Sequence, residues 1–383
     1  MRIAFLTSEF VSEKQSFDGG LSRYLFKAAI ELTKNGHKPI VVVVSEKNEI
    51  IYYNNIEVHR VKPKNTFCYK LADKLLRFKY QRSLDILRDS YFLNKKIKEI
   101  NKAEKIDIIQ YPNFRSISFF SPRRIKSVLR ISSYQKLWDE ANGLFYKSIR
   151  ERQSQIIEYF CFKKAKDIFG PSEFLAEFIQ DKFNKKVTLI ETPFQHIDKK
   201  LNFDLLNEIE KKTNGHKYLL FYGRIALFKG AIDIADTLNS LLSKQPNLFI
   251  VIIGKDIGYM NDKSMNYIYN EAGDFKDRVI HYKEKPHEEL IPVIQNAHFI
   301  LLPSRIENLP NACLEAMSLN KIVVATKGVS FEQLINDEIN GFLCENSNPD
   351  DLLRVIEKVL TLSAEKKKEI EYSAGESIKR LHP

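Results

Sequence analysis

The chain of 383 residues, 44% hydrophobic and 28% charged, has the balance of a soluble globular protein, which excludes a fibrous or disordered one. No apolar run approaches the ~20 residues that span a bilayer, and the four cysteines, Cys68, Cys161, Cys313 and Cys344, lack the spacing of a zinc site or a disulfide framework. The formal charge of +11 is lopsided: residues 1–195 hold 36 Lys+Arg against 22 Asp+Glu and the remainder 24 against 27, so the first half is the basic one.

Strands and helices alternate twice along the chain. RIAFLT opens directly as a buried strand with no signal-peptide pattern before it, which predicts a protein that stays in the cytoplasm. The loop SEFVSEKQSFDGG then brings Gly19 and Gly20 to the start of a helix over 21–35. Glycines there let backbone N–H groups approach a phosphate at a helix N-terminus, although a plain turn uses them equally. The pair is not GxGxxG, which disfavours a nicotinamide dehydrogenase. KPIVVVV, IEVHRV, KIDIIQY and SVLRI follow as strands of a parallel, doubly wound sheet.

The densest charge lies between these strands, from Arg60 to Lys102, with 13 basic and 4 acidic residues. Leu76, Tyr80, Leu84, Leu87 and Tyr91 recur there at helical spacing, with Lys70, Lys74 and Arg77 on another face, predicting a basic amphipathic helix. Such a helix docks on its own core or rests on anionic lipid. Without a recognition motif beside the charge, nucleic acid is not an expected partner.

After KVTLIETPF, the polar passage QHIDKKLNFDLLNEIEKKTNGHK reads as a linker and divides the chain into domains 1–195 and 196–383. The alternation restarts with YLLFYG, LFIVIIG, RVIHY, HFILLP, KIVVAT and GFLCE, separated by helices at 230–244, 287–296, 311–319 and 349–361. The expected architecture is α/β: two Rossmann-like doubly wound parallel sheets with an interdomain cleft, and ligands outside the carboxyl ends of the strands.

The charged motifs fall at those strand ends. In YLLFYGRIALFKG, Gly223 and Arg224 follow a strand, and Lys229 and Gly230 lead into the next helix. An arginine fork and a lysine point charge suit a diphosphate, although two solvated surface cations are the plainer reading. In SRIENLPNACLEAM, Glu307 sits in a strand-to-helix loop. Glu315 lies about one turn into the helix, some 6 Å below its N-terminus at roughly 1.5 Å per residue. Two carboxylates so spaced can serve two sets of sugar hydroxyls. The apolar neighbours of Glu315 predict that it faces inward, and a buried acid needs a partner.

GRIALFKG followed by ENLPNACLEAM resembles the nucleotide-sugar-dependent retaining glycosyltransferases of the GT-B fold, specifically glycosyltransferase family 4, or group 1. AKDIFGPSEFLAEFI and KGVSFEQLINDEINGFLCENSNPDDL extend the resemblance over nearly the whole chain. It implies an acceptor-side first domain and a donor-binding second domain. It also implies that Gly19 and Gly20 approach the donor diphosphate, with Gly20 N–H touching it, and that Arg224 and Lys229, beyond Gly223, grip it from the other side. Glu307 would contact the donor sugar. The backbone of Asn308, Leu309, Pro310 and Asn311 would line the sugar and phosphate, Glu315 would hold the ribose, and the base would lie near Tyr282 and Lys283. Arg224, Lys229 and Glu307 would be the catalytic groups.

The implied reaction moves a sugar from a UDP- or GDP-linked donor to a glycan or lipid-linked acceptor in surface polysaccharide synthesis. It needs no metal or other cofactor, since no Asp-x-Asp motif ends a strand and cations on the phosphate side lower the barrier. Acceptor attack would occur on the face the diphosphate leaves, with Glu307 assisting electrostatically. One departure stands out: the family often has a histidine where VLRISS has Ser132. His196, His281, His287 and His298 lie elsewhere and read as structural or surface residues. A catalytically silent nucleotide-sugar-binding scaffold and a GT-B epimerase acting on a UDP-sugar are the alternative readings. The basic first half extends the expected location to the inner face of an anionic membrane.

Overall fold

Strands that are apolar on both faces need helices on both sides, and each half of the chain supplies them. The computed structural model describes residues 1–10, 20–76, 79–191 and 200–381, and it divides into two compact units, residues 1–139 with 144–192, and residues 193–383 with 140–143.

The first unit runs β1 (Arg2–Thr7), α1 (Gly20–Lys34), β2 (Lys38–Val44), β3 (Glu49–Tyr53), β4 (Ile56–Val61), α2 (Phe67–Leu75), α3 (Gln81–Ala103), β5 (Ile108–Pro112), β6 (Ser127–Arg130), α4 (Gln135–Ala141), α5 (Gln153–Lys164), β7 (Asp167–Gly170), α6 (Glu173–Phe183) and β8 (Val187–Leu189). Its eight strands order as β3-β4-β2-β1-β5-β6-β7-β8. All neighbours are parallel except β3, which turns back antiparallel on β4 through Asn54 and Asn55, both left-handed. That hairpin departs from the wholly parallel sheet expected. Its strand EIIYY half-exposes one face, so it lacks the apolar run by which its neighbours are read.

The basic segment is likewise not one helix. It breaks at residues 76–80 into α2 and α3, and Arg77 lies outside the described residues. The stripe α3 buries is Ile86, Leu93, Ile97 and Ile100 with Asp89, Ser90 and Asn94, not the expected Leu84, Leu87 and Tyr91. Tyr91 is half exposed, because the polar Ser90 and Asn94 are drawn inward to serve the Ile117 carbonyl at 2.7 and 2.9 Å.

The second unit runs α7 (Asp204–Thr213), β9 (Tyr218–Tyr222), α8 (Ala231–Lys244), β10 (Phe249–Ile253), α9 (Ser264–Ala272), β11 (Val279–Tyr282), α10 (His287–Asn296), β12 (Phe299–Leu302), α11 (Asn311–Ser318), β13 (Val323–Thr326), β14 (Phe342–Cys344), α12 (Pro349–Leu360) and α13 (Ala364–Leu381). The passage read as a linker therefore contains a helix: α7 buries Leu205, Leu206 and Ile209, the apolar side of an otherwise charged sequence. The six parallel strands order as β11-β10-β9-β12-β13-β14, so the winding reverses between β9 and β12. At such a switch the loops leaving two adjacent strands diverge and leave a ligand crevice. The four cysteines are free, and only Cys68 is exposed.

Candidate functional site at the sheet switch point

The loops leaving β9 and β12 flank the switch, and close backbone approaches set their shape. Gly230 has φ +72° and a Cβ there would lie 1.9 Å from the Pro303 carbonyl oxygen; a Cβ on Gly254, at the end of β10, would lie 1.7 Å from that of Gly223. Only glycine fits either position. The loops are also bonded to one another. Arg305 N donates to the Phe228 carbonyl at 2.9 Å, and the Arg305 guanidinium grips buried Asp233, in the first turn of α8, at 2.8 and 2.6 Å. This fork holds the Arg305 pKa above its ordinary value.

On that frame Lys229 and Glu307 meet as an ion pair, with side chains 24% and 14% exposed. Ser304 Oγ donates to the same Glu307 oxygen at 3.1 Å, and Ser330 Oγ donates to the Glu307 carbonyl at 2.9 Å. Arg224 is exposed, and its guanidinium and the Lys229 ammonium each stand 5.7 Å from the centre of the Phe228 ring. Two cations and a carboxylate thus gather beside one strand end.

Leu309 and Pro310 are buried, Asn308 is half-buried, and exposed Asn311 begins α11, whose first turn has no side-chain cap. Its free N–H groups favour an anion or a hydroxyl oxygen. One turn on, Glu315 is 12% exposed and its Oε1 lies 2.7 Å from His287 Nδ1, the first residue of α10. Tyr222 OH donates to the Ala312 carbonyl beside it at 2.6 Å. Burial, and then the Glu315 charge, push the Tyr222 phenol far up, so it stays a donor.

The expected residues are not all gathered here. Tyr282 and Lys283 lie at the end of edge strand β11, where the Tyr282 ring sits under the Lys212 ammonium at 4.7 Å. Gly20 opens α1 in the first unit, and Gly19 and His196 lie outside the described residues. His287, read as structural or surface, is the partner of Glu315; HEELIPVIQN looks like any amphipathic helix start, so no local signal marks it. His281 faces the Gly254 carbonyl at 3.3 Å and His298 the Lys367 ammonium at 2.9 Å. Ser132 receives a hydrogen bond from Arg130 at 3.0 Å, and its N–H donates to Asn113 at 2.7 Å. Asn113 in turn donates at 2.7 Å to Glu158, a carboxyl whose burial pushes its pKa up to about 8. Among the described residues no three His, Cys, Asp or Glu side chains form a group that could hold a metal.

A paired set of doubly wound sheets, one with a charged crevice at its switch point, defines the GT-B class of transferases. The family model for glycosyl transferases group 1 matches residues 202–376, and that for glycosyltransferase family 4 matches residues 18–195. An uncharacterized glycosyltransferase of Methanocaldococcus jannaschii is 22% identical over 375 residues, 94% of this chain and 89% of its own. The GDP-mannose:cellobiosyl-diphosphopolyprenol alpha-mannosyltransferase of Xanthomonas oryzae pv. oryzae is 26% identical over 131 residues, 34% of each chain. Anabaena HepE in complex with UDP and glucose shares the fold with a TM-score of 0.71 at 15% identity, over 100% of this chain and 95% of that one. The chain belongs to the group 1, family 4 glycosyltransferases and has their GT-B fold.

Proposed function

We propose that the protein transfers a sugar, with retention and without a metal, from a UDP- or GDP-linked donor to a glycan or lipid-linked acceptor in polysaccharide synthesis. The observation that carries this reading is the gathering of Arg224, Lys229 and Glu307 at the switch point, with Glu315 one turn down α11. As the anomeric C–O bond breaks, negative charge collects on the β-phosphate, and Arg224 and Lys229 are placed to meet it. A diphosphate competes with Glu307 for Lys229 and frees that carboxylate to accept sugar hydroxyls. The leaving phosphate takes the acceptor's proton as the acceptor oxygen attacks the same face. Glu315, oriented by His287, holds the ribose. Anabaena HepE binds UDP and glucose, and the Xanthomonas enzyme is named for a GDP-mannose donor and a polyprenol-linked acceptor, which supports both donor classes.

Calorimetric titration with UDP, GDP and their sugar conjugates tests this. One nucleotide is expected to bind, and Glu315→Ala to weaken it by about 1 to 3 kcal/mol, the scale of a lost charged hydrogen bond. His287→Ala follows in the same direction with a smaller loss. Absence of binding to every nucleotide, or equal affinity in Glu315→Ala, would sink the site.

The same reading places the protein on the cytoplasmic face of a membrane through α2. Phe67, Leu71 and Leu75, spaced four apart, are 78%, 46% and 71% exposed, with Lys70 and Lys74 beside them. Among the described residues no helix is long and apolar enough to cross a membrane, so contact through this segment would be peripheral. At about 1 kcal/mol per basic residue near an anionic surface, reversing both lysines to glutamate is expected to lower binding to phosphatidylglycerol vesicles at least about tenfold. Equal co-sedimentation of mutant and parent removes the membrane from the proposal.

A further inference from the structure

The first unit encloses a cavity of about 460 Å³ that the donor reading does not use. Its wall is made where two helices begin, α3 with 23 residues and α5 with 12, and neither N-cap residue, Tyr80 or Arg152, supplies a side-chain cap. Gln153 repairs α3, accepting from Ser83 N and Oγ at 3.0 Å each. In the first turn of α5, Ser154 is only 9% exposed, lines the cavity, and its hydroxyl has no hydrogen-bond partner among the described residues. A buried hydroxyl without a partner costs about 1 to 3 kcal/mol unless something else reaches it.

The charges around the cavity favour an anion. Arg82 is exposed on the wall and makes no ion pair among the described residues, and Arg115 touches Asp89 at 3.4 Å with its side chain 45% exposed. Arg115 and the following Ser116 both adopt left-handed backbone, φ +55° and +50°, a conformation that non-glycine residues hold only where the surroundings enforce it. The acids nearby are already engaged: Asp85 with Arg88 at 2.9 Å, and Glu158 with Asn113 Nδ2 and Gln135 N at 2.7 and 2.8 Å. Burial keeps Glu158 largely protonated at neutral pH, so it adds little negative charge. Phe114, 38% exposed at the rim, offers a face to a ring or chain attached to the anion.

We infer that this cavity binds a phosphate group carried by the acceptor, with Arg82 and Arg115 as its counter-charges and the Ser154 hydroxyl and the α5 N-terminus as its donors. The inference rests on the transferase reading for the word acceptor, and on the cavity alone for the phosphate. The phosphate could belong to a lipid-linked diphosphate or to a soluble sugar phosphate, which share this chemistry.

Titration of the full chain with glucose 1-phosphate and with micellar farnesyl diphosphate tests it, in a Lys229→Ala background that weakens the donor site. Binding is expected, and Arg82→Glu and Ser154→Ala are each expected to weaken it at least tenfold. Arg82 is exposed, so its replacement leaves the fold intact. UDP and GDP affinity, measured with Lys229 present, is expected to be unchanged by both substitutions. Tighter binding of farnesyl diphosphate assigns the phosphate to a lipid carrier, and equal binding to a soluble one. Failure of both probes to bind, or affinities that neither substitution alters, overturns the inference. Loss of nucleotide binding in the parent chain, with the two probes still bound and still sensitive to Arg82→Glu, overturns the donor reading instead.

Discussion

Lys229→Ala is expected to lower the turnover of sugar transfer by about 10² to 10³-fold, the loss seen when one preorganised donor to a developing oxyanion is removed. The argument starts from the ion pair with Glu307, whose carboxylate is also held by Ser304. In the free protein the pair neutralises itself and costs little to keep. Once a diphosphate begins to leave, the ammonium has a growing negative charge to meet in a partly desolvated site, where each charge contact counts for more than in water. Removing it has a second consequence: Glu307 is left 14% exposed and without its cation, facing the phosphates. Turnover should therefore fall further in Lys229→Ala than in Arg224→Ala, whose side chain is exposed. Steady-state rates with the donor identified by titration provide the check. A loss of less than tenfold in Lys229→Ala would remove this residue from the chemistry.

Gly230→Ala carries the largest expected structural effect. Its φ of +72° costs an alanine about 1 kcal/mol wherever it occurs. At this position the added methyl also meets a backbone oxygen at 1.9 Å, and backbone cannot rotate away as a side chain can. The loops after β9 and β12 must separate, breaking the Arg305 N bond to Phe228 and loosening the fork on Asp233. A loss of at least about 3 kcal/mol in the second unit is expected, together with loss of nucleotide binding. Gly215 is the matched control: it has the same φ of +72° but nothing within 4 Å of an added Cβ, so Gly215→Ala should cost only about 1 kcal/mol. Denaturant unfolding of both variants, read by a probe in the second unit, tests the difference. Equal costs would show that the loop contact is not what excludes a side chain at 230.

Much of the protein was legible without coordinates because the relevant signals are local. An all-buried strand such as YLLFY, or a helix such as PDDLLRVIEKVL with its apolar stripe and proline start, declares itself within a few residues. For that reason the expected helices of the second unit fall within a residue or two of the observed ones. The motifs could be placed at strand ends on the same grounds. Where the local pattern was weak, expectation and structure part: EIIYY forms an antiparallel edge, a helix lies inside the presumed linker, and the basic segment breaks into two helices. Helical spacing of apolar residues shows that a stripe exists, yet the choice of buried stripe on α3 was settled by the Ile117 carbonyl, which recruits Ser90 and Asn94 inward.

By itself, then, the sequence determined two α/β units, their alternating elements, the basic character of the first half and the positions of the charged motifs, because each follows from periodicity or spacing along one stretch of chain. Only the tertiary structure decided which charges meet. Lys229 reaches Glu307 because β9 and β12 are neighbours at the switch of the sheet, and His287 reaches Glu315 because α10 begins beside the first turns of α11. Gly230 and Gly254 are indispensable only because another segment's carbonyl occupies the space a side chain would need. These are contacts between residues remote in sequence. They depend on strand order and on which faces oppose, and no local pattern carries that information.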